Sequence, residues 1–390
     1  MKVYATDQIR NVVLLGHGGA GKTTLAEAMC LLSGITTRMG KVEDGNSVSD
    51  FTKEEQKRGF SIKTSLIPIE WKGCKINVLD TPGYFDFVGE VEEAISVADA
   101  AIIVISGKAG IEPGAERAWD LCEKYNVPRM IYISDMDLEH TSYPNTVDAL
   151  KELYGTKVVP FNFAIEEGGK HVGAVSVIAE KAYKWGPKDA AECPVPDGCA
   201  DSLETYREAL METVAETNED FMERYFGGDE FTTEEIAEAV RANIQDCSVV
   251  PVNCGASTQC FGVYTVLDDI VNYMPAPSAR RVEGKNVKTD EAFEAAFDDA
   301  QPKSAFIFKT IVDPFIGRYS LIKVRSGIFK TDETVYDTSI ESEMRLGKLY
   351  IMTGNKTSEI AELHAGDIGA VAKLGDAKTG DTLSLGETTL

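Results

Sequence analysis

No Cys-x-x-Cys pair occurs among the eight cysteines of this 390-residue chain. Cys193 with Cys199, and Cys254 with Cys260, share a wide spacing that fits no zinc-ligand pattern. Scattered reduced thiols in a cytosolic protein are therefore expected. No apolar run approaches the length of a membrane span, and residues 1–7 lack the apolar core of a signal peptide. A cytoplasmic protein without a membrane partner is the expectation. Positive charge is scarce: 39 Lys and Arg face 63 Asp and Glu, a formal net charge of −24. Counterion release from a nucleic acid needs clustered Lys and Arg, so the composition argues against a general nucleic-acid coat. It leaves open docking on a ribonucleoprotein through a few local basic patches, and gives no expectation of sequence-specific nucleic-acid binding. Internal repeats and low-complexity tracts are absent as well. What is left is an ordinary globular composition, 43% hydrophobic and 26% charged, at a length that suits two or three domains.

The stretch that organises the chain is Gly16-His17-Gly18-Gly19-Ala20-Gly21-Lys22-Thr23-Thr24, a match to GxxxxGK[ST]. The apolar run Val12-Val13-Leu14-Leu15 precedes it, and the helix-forming Leu25-Ala26-Glu27-Ala28-Met29 follows. Strand, glycine-rich turn and helix form the context in which backbone N–H groups converge on a phosphate, aided by the positive end of the helix dipole. Lys22 is then placed to reach β- and γ-phosphates, and the Thr23 hydroxyl to ligate Mg²⁺. Binding of a nucleoside phosphate is implied.

Short β-branched runs alternate with helical stretches through the first half. After the opening strand come Ile76-Asn77-Val78-Leu79, Ala101-Ile102-Ile103-Val104-Ile105 and Arg129-Met130-Ile131-Tyr132-Ile133, with helices expected over 88–97 and 115–124. This is the texture of a parallel sheet buried on both faces, hence an α/β fold. The last strand, Val249-Val250-Pro251-Val252, arrives only after an acidic excursion over 161–246. That excursion, with helices expected over 202–217 and 233–244 and a loop at Phe226-Gly227-Gly228-Asp229, reads as an inserted subdomain, with a surface extension as the alternative. A helix ends near Pro275 and Pro277, closing a nucleotide domain over 1–280. A polar linker over 281–302 follows, its character beginning at Ser278. Over 303–390, close-spaced strand-like runs separated by Gly, Asp and Asn turns suggest a small antiparallel barrel. The chain stops just after Thr382-Leu383-Ser384, and a fragment of something longer is expected.

Asp80-Thr81-Pro82-Gly83 follows the strand ending at Leu79, ~60 residues after the phosphate loop, in the order that phosphoryl-transfer folds use. Asp80 would hold Mg²⁺ through water, and the Gly83 N–H would sense a γ-phosphate. Residues 46–62, with Glu54-Glu55-Gln56-Lys57-Arg58-Gly59-Phe60-Ser61-Ile62, read either as a solvated helix ending in a glycine cap or as a switch loop whose Ser61 adds a second hydroxyl to Mg²⁺.

Taken together these residues resemble the translational GTPases, and within them elongation factor G. The phosphate loop, Arg58-Gly59-Phe60-Ser61-Ile62, Asp80-Thr81-Pro82-Gly83 and Cys254-Gly255-Ala256-Ser257 fall in the family's order. Asp313-Pro314-Phe315-Ile316-Gly317, Gly366-Asp367-Ile368 and Thr379-Gly380-Asp381-Thr382 match in the barrel. Tetracycline-resistance ribosomal protection proteins share the barrel motifs but have little of the insert. The resemblance implies a P-loop GTPase domain with an inserted α/β subdomain, then an all-β translation-factor barrel, using GTP or GDP and Mg²⁺. It implies a monomer acting on ribosomal RNA and stalk proteins, here represented by its front half. Arg318, Lys323, Arg325, Arg345 and Lys348 would supply a basic face for ribosomal RNA, and Gly255, Ala256 and Ser257 a wall of the nucleotide site.

Three departures from the family pattern bear on activity. The base-reading Asn-Lys-x-Asp becomes Ser134-Asp135-Met136-Asp137. Asp137 still pairs with guanine N1–H and its amino group, which adenine cannot match. Asp135 puts a negative charge where a lysine stem would cover the base, and the shorter Ser134 is expected not to replace the asparagine's bonds to base and phosphate loop. Guanine preference at lowered affinity follows. The family's Asp-Thr-Pro-Gly-His ends here in Tyr84, and a phenol positions water but is a poor base at neutral pH. Slowed hydrolysis is expected, with a non-hydrolysing, nucleotide-gated binding module as the alternative. Ser61 stands where the family has threonine, with little expected loss, and His17 is expected to contact solvent or neighbouring backbone.

Overall fold

The computed structural model describes residues 2–186, 189–286, 288–313 and 317–385, and every count below refers to these residues. The apolar runs of the first half become β1 (Ile9–Gly16), β2 (Ser65–Trp71), β3 (Cys74–Asp80), β4 (Ala100–Ser106), β5 (Arg129–Ser134) and β6 (Val158–Pro160). Next in the chain come β7 (Asn162–Glu167), β8 (Lys170–Ser176), β9 (Lys181–Trp185) and β10 (Ala190–Cys193), and then β11 (Val250–Cys254). A seven-stranded sheet runs in the order β2-β3-β1-β4-β5-β11-β6. All its pairings are parallel except the β2–β3 hairpin. β3 and β4 are buried along their whole length, as expected for strands covered by helices on both faces. Each fully buried Val, Leu or Ile here contributes roughly 1.5–3 kcal/mol relative to exposure.

The covering helices are α1 (Lys22–Leu32), the short α2 (Lys53–Arg58), α3 (Val88–Val97), α4 (Pro113–Lys124) and α5 (Tyr143–Tyr154). They are followed by α6 (Ala200–Ala215), α7 (Glu219–Gly227), α8 (Thr233–Gln245) and α9 (Val263–Tyr273). Within the excursion, β7 to β10 form a four-stranded antiparallel meander that no pattern in the sequence marks. Its strands are short, and β10 and the far end of β7 are largely exposed, so no apolar alternation announces them. α7 likewise fills a stretch to which the sequence assigns no element, and its last two residues overlap the loop expected at 226–229. Asn218 caps its first turn by accepting from the Phe221 N–H, and the left-handed Gly228 stops it.

The second unit is an antiparallel eight-stranded sheet. Its spatial order is Ser342–Arg345, Thr334–Asp337, Thr382–Ser384, Ser304–Asp313, Gly317–Ser326, Ile368–Ala372, Leu349–Thr353 and Lys356–Ile360. Ile307, Ile322, Val324, Phe329, Val335 and Leu383 pack its core. Pro314, Phe315 and Ile316 of the first barrel motif lie outside the described residues. The segment expected to be a linker is structured. Val282–Lys285 pairs with Ala292–Ala295 as a hairpin, and Phe297 is buried in the barrel core.

A buried polar seam joins the two units at the amino ends of β1 and β3. The Lys75 ammonium donates to both oxygens of Asp367 at 2.7 Å, and the Lys323 ammonium to Asp99 at 2.6 Å. Asn77 donates to Asn11, which in turn donates to Asp99 and to the Gly366 carbonyl. Burial pulls Lys323 down to about 8 against the opposing pull of Asp99. This corrects the expectation of a basic barrel face for Lys323 and Arg325. Lys323 is buried, and Arg325 packs on Phe297 and reaches the Ser96 carbonyl. Arg318 donates to the Leu374 and Gly375 carbonyls, while the exposed Arg345 and Lys348 pair with Asp332 and Glu359. Lys323 is engaged in the protein's own structure because a buried cation must find acceptors inside the fold, whereas Arg345 and Lys348 remain on the surface in exposed ion pairs.

Removing one member of this seam strands the other as a buried charge. Lys323→Ala is expected to cost about 3–5 kcal/mol in chemical denaturation. Lys348→Ala, at an exposed pair, is expected to leave the midpoint in place.

A candidate nucleotide site

Gly16, Asp80, Ser106, Ser134 and Cys254 are the last residues of β1, β3, β4, β5 and β11, so the site lies at the carboxyl edge of the parallel strands. That edge is where open α/β sheets bind ligands. α1 begins directly at Lys22, and no side chain caps it. The free N–H groups of its first turn therefore point toward the cleft with the positive end of the helix dipole. The cleft has a volume of about 160 Å³, and Gly18, Gly19, Gly21, Lys22, Thr23, Thr24, Asp50, Ser61, Gly83 and Tyr84 are among its lining residues. Ala20 is buried in the loop. The Lys22 ammonium is held by the carbonyls of Gly16 (3.0 Å) and His17 (2.8 Å), and burial pulls it down to about 8.

Three residues far apart in sequence meet beside this lysine. The Thr23 hydroxyl donates to Asp80 Oδ2 at 2.8 Å and lies 3.2 Å from the Ser61 hydroxyl. The two readings of residues 46–62 prove compatible. α2 is a solvated helix stopped by a left-handed Gly59 (φ 70°), and that stop delivers Ser61 to the cleft. Asp50, not singled out from the sequence, is 3% exposed in the same cleft. Burial, reinforced by the charge of Asp80, pushes Asp50 up to about 7, and burial raises Asp80 itself. No hydrogen bond of normal geometry reaches either Asp50 oxygen or Asp80 Oδ1 among the described residues, although the Ser61 and Ser49 hydroxyls are near enough to favour the charged forms. Orphaned acidic oxygens beside two hydroxyls are a donor set that fits a hard divalent cation such as Mg²⁺.

The segment expected to read the base follows β5. The Ser134 hydroxyl donates to the Ala20 carbonyl at 2.9 Å, which corrects the expectation that serine is too short to tie this strand to the phosphate loop. Asp135 adopts a left-handed backbone (φ 62°), a region that Asp tolerates, and its carboxylate accepts from the Ser106 hydroxyl at 2.6 Å. Its charge is thus held against the loop after β4. Asp137 is exposed, and its Oδ2 accepts from Thr258 (3.1 Å) and Gln259 (2.9 Å). Ser257 is buried against the Tyr132 hydroxyl at 3.1 Å. Ala256 bridges to Phe261, and the Gly255 carbonyl accepts from the Met136 N–H, which joins the two base-side loops.

The segment after Asp80 lies against the phosphate loop. A Cβ on Gly83 would stand 2.5 Å from the Lys22 ammonium and 2.6 Å from the Gly18 nitrogen, so only glycine fits. The Tyr84 ring crosses the loop, 3.1 Å from where a Gly18 Cβ would be, and packs at 4.6 Å on Phe60, yet it is 47% exposed. His17 accepts from the Gly114 N–H through Nδ1 at 3.2 Å, which leaves Nε2 as the protonated nitrogen, 3.6 Å from Glu112.

Sequence reasoning missed Asp50, Thr258 and Gln259, none of which carries a local signal. It also gave no role to Glu55, although Thr52-x-x-Glu55 is a readable capping box.

Ser134→Ala is expected to weaken GDP binding by about 1 kcal/mol, roughly fivefold, by releasing the phosphate loop from β5. Equilibrium titration with a fluorescent GDP checks this.

Residues 7–276 match the family described as elongation factor Tu GTP binding domain, and residues 302–386 match elongation factor G domain 2. A crystal structure of a Thermus thermophilus protein is similar to 98% of this chain, with 31% sequence identity and a TM-score of 0.88. The similarity covers 55% of that protein, so the present chain spans about half its length. The first match covers the parallel-sheet unit with its phosphate loop, and the second covers the antiparallel unit. The chain belongs to the translational GTPases of the elongation factor G type.

Proposed function

We propose that this chain binds and hydrolyses GTP as the front half of an elongation factor G-like translation factor that acts on the ribosome. The observation that carries the reading is the meeting of Thr23, Ser61 and Asp80 beside Lys22, at the carboxyl edge of the sheet. The first turn of α1 and Lys22 would hold the phosphates. Thr23 and Ser61 would ligate Mg²⁺ directly, and Asp80 and Asp50 would hold it through water. The ion, when bound, neutralises charge on the phosphate oxygens. Asp137 would select guanine, and Thr258 and Gln259 would aim its carboxylate. The family membership supports guanine-nucleotide binding. No helix among the described residues is long and apolar enough to cross a membrane.

Hydrolysis requires water to attack the γ-phosphorus while the bond to the β-phosphate oxygen breaks, giving GDP and phosphate. Tyr84 lies over the phosphate loop, lines the cleft and keeps an exposed ring, and its hydroxyl would orient that water by a hydrogen bond. Turnover slower than with a histidine follows, because a phenol is the weaker proton acceptor. The packing of Tyr84 on Phe60 favours a second reading, in which the tyrosine closes a hydrophobic gate and nucleotide binding proceeds without turnover.

Competition of fluorescent GDP by GTP and GDP, but not by ATP, is expected in the presence of Mg²⁺. Equal competition by ATP would remove Asp137 as the base reader. Tyr84→His is expected to raise multiple-turnover phosphate release with ribosomes by at least about tenfold. Unchanged intrinsic and ribosome-stimulated rates would show that Tyr84 has no part in the chemistry. Nucleotide binding with no phosphate release by the unsubstituted chain would select the second reading.

A further inference from the structure

Two buried carboxylates outside the phosphate and metal contacts hold the segment that carries Asp50 and Ser61. Glu55, on α2, is 1% exposed and directs all its acceptor capacity at backbone and hydroxyl donors of this segment. Its Oε2 accepts from the Thr52 N–H (3.1 Å) and the Thr52 hydroxyl (2.6 Å), closing the box that starts the helix. Its Oε1 accepts from the N–H groups of Ile62 and Lys63, each at 3.1 Å. One side chain therefore fixes both ends of the loop in which Ser61 sits. Glu27, on α1 and also 1% exposed, does the same for the preceding stretch. It accepts from the Gly40 N–H at 3.0 Å and the Val48 N–H at 2.5 Å, just ahead of Asp50. The neighbouring Glu54 is exposed and pairs with Arg58, so position on the helix separates the two adjacent glutamates.

We propose that Glu55 and Glu27 are positioning residues that hold residues 40–63 in the arrangement able to bind Mg²⁺ with a nucleoside triphosphate. Glu55 fixes the Ser61 hydroxyl, and Glu27 fixes the approach to Asp50. The proposal rests on the nucleotide reading of this cleft. Its physical basis is that a carboxylate accepting several N–H bonds in a buried site makes strong, directional contacts. Without the two carboxylates, the loop N–H groups they bind would lose these partners. A diphosphate leaves no γ-phosphate for this segment to close on, so the clamp separates triphosphate from diphosphate binding. In Glu55→Gln one oxygen becomes an NH₂ group, which cannot accept from the donors of either pair.

The test uses the full 390-residue chain, fluorescent GDP, a non-hydrolysable GTP analogue with Mg²⁺, and limited trypsin digestion at Lys57 and Arg58, which are exposed. For Glu55→Gln, GDP affinity is expected within about twofold of the unsubstituted chain, while analogue affinity with Mg²⁺ falls about tenfold. Analogue-dependent protection from trypsin is expected to be lost. Glu54→Gln is expected to keep both. Glu55→Asp, which retains the charge on a shorter arm, should restore part of the protection. Unchanged analogue affinity and protection in Glu55→Gln would overturn the proposal. So would an equal loss of GDP and analogue binding, or of the folded circular dichroism signal together with no deficit in Glu27→Gln, since each marks Glu55 as merely structural. If the unsubstituted chain binds no guanine nucleotide, the underlying nucleotide reading fails first, and the two failures are distinguishable.

Discussion

Desolvation of Asp80 sets the terms on which the site is built. The strand that ends in this carboxylate is buried along its length, and the carboxylate with it. A buried carboxylate is costly unless cations or hydrogen bonds compensate it. Thr23 supplies one hydrogen bond and Lys22 a nearby positive charge, yet Asp50 brings a second acid into the same cleft. The balance is acidic oxygen in excess, framed by hydroxyls, a set that a hard divalent cation would neutralise. The phosphate loop, the Ser61 loop and the Gly83 turn are close together because all three surround that one charge.

The same principle operates at the opposite end of the sheet. Lys75 and Lys323 are buried and reach across to acids of the other unit or from it. Ion pairs of this kind contribute little net stability over an apolar seam, but they penalise separation and wrong registers heavily. Lys309 adds a partly buried link to Glu90 and Glu93 on α3, and Glu90 also accepts from the Thr64 N–H. A chain of contacts therefore runs from the barrel through α3 to the residues just after Ser61. The barrel and the site are mechanically adjacent, although no barrel residue lines the nucleotide cleft among the described residues.

The altered motif proposed to read the base keeps more of its internal contacts than its residue types suggest. Serine keeps the bond to the phosphate loop because β5 approaches Ala20 closely enough for a short side chain. Asp135 does not project its charge freely, since the left-handed turn hands its carboxylate to Ser106. Both compensations depend on backbone placement and are invisible in the residue string.

The parallel sheet, the phosphate loop, Asp80 after β3 and the antiparallel barrel are all legible in the residue string. Each is written in local periodicity or in a contiguous motif, and local steric and hydrogen-bonding rules specify them. The meander of β7 to β10, the hairpin in the expected linker and α7 carry weak patterns, so packing against neighbours settles them instead. Only the folded chain brings Asp50 to Asp80, sets Thr258 and Gln259 against Asp137, and turns Lys323 inward rather than toward a partner. Those outcomes depend on which long-range neighbours share a buried volume, and burial sets the cost of a charge far more strongly than residue type does.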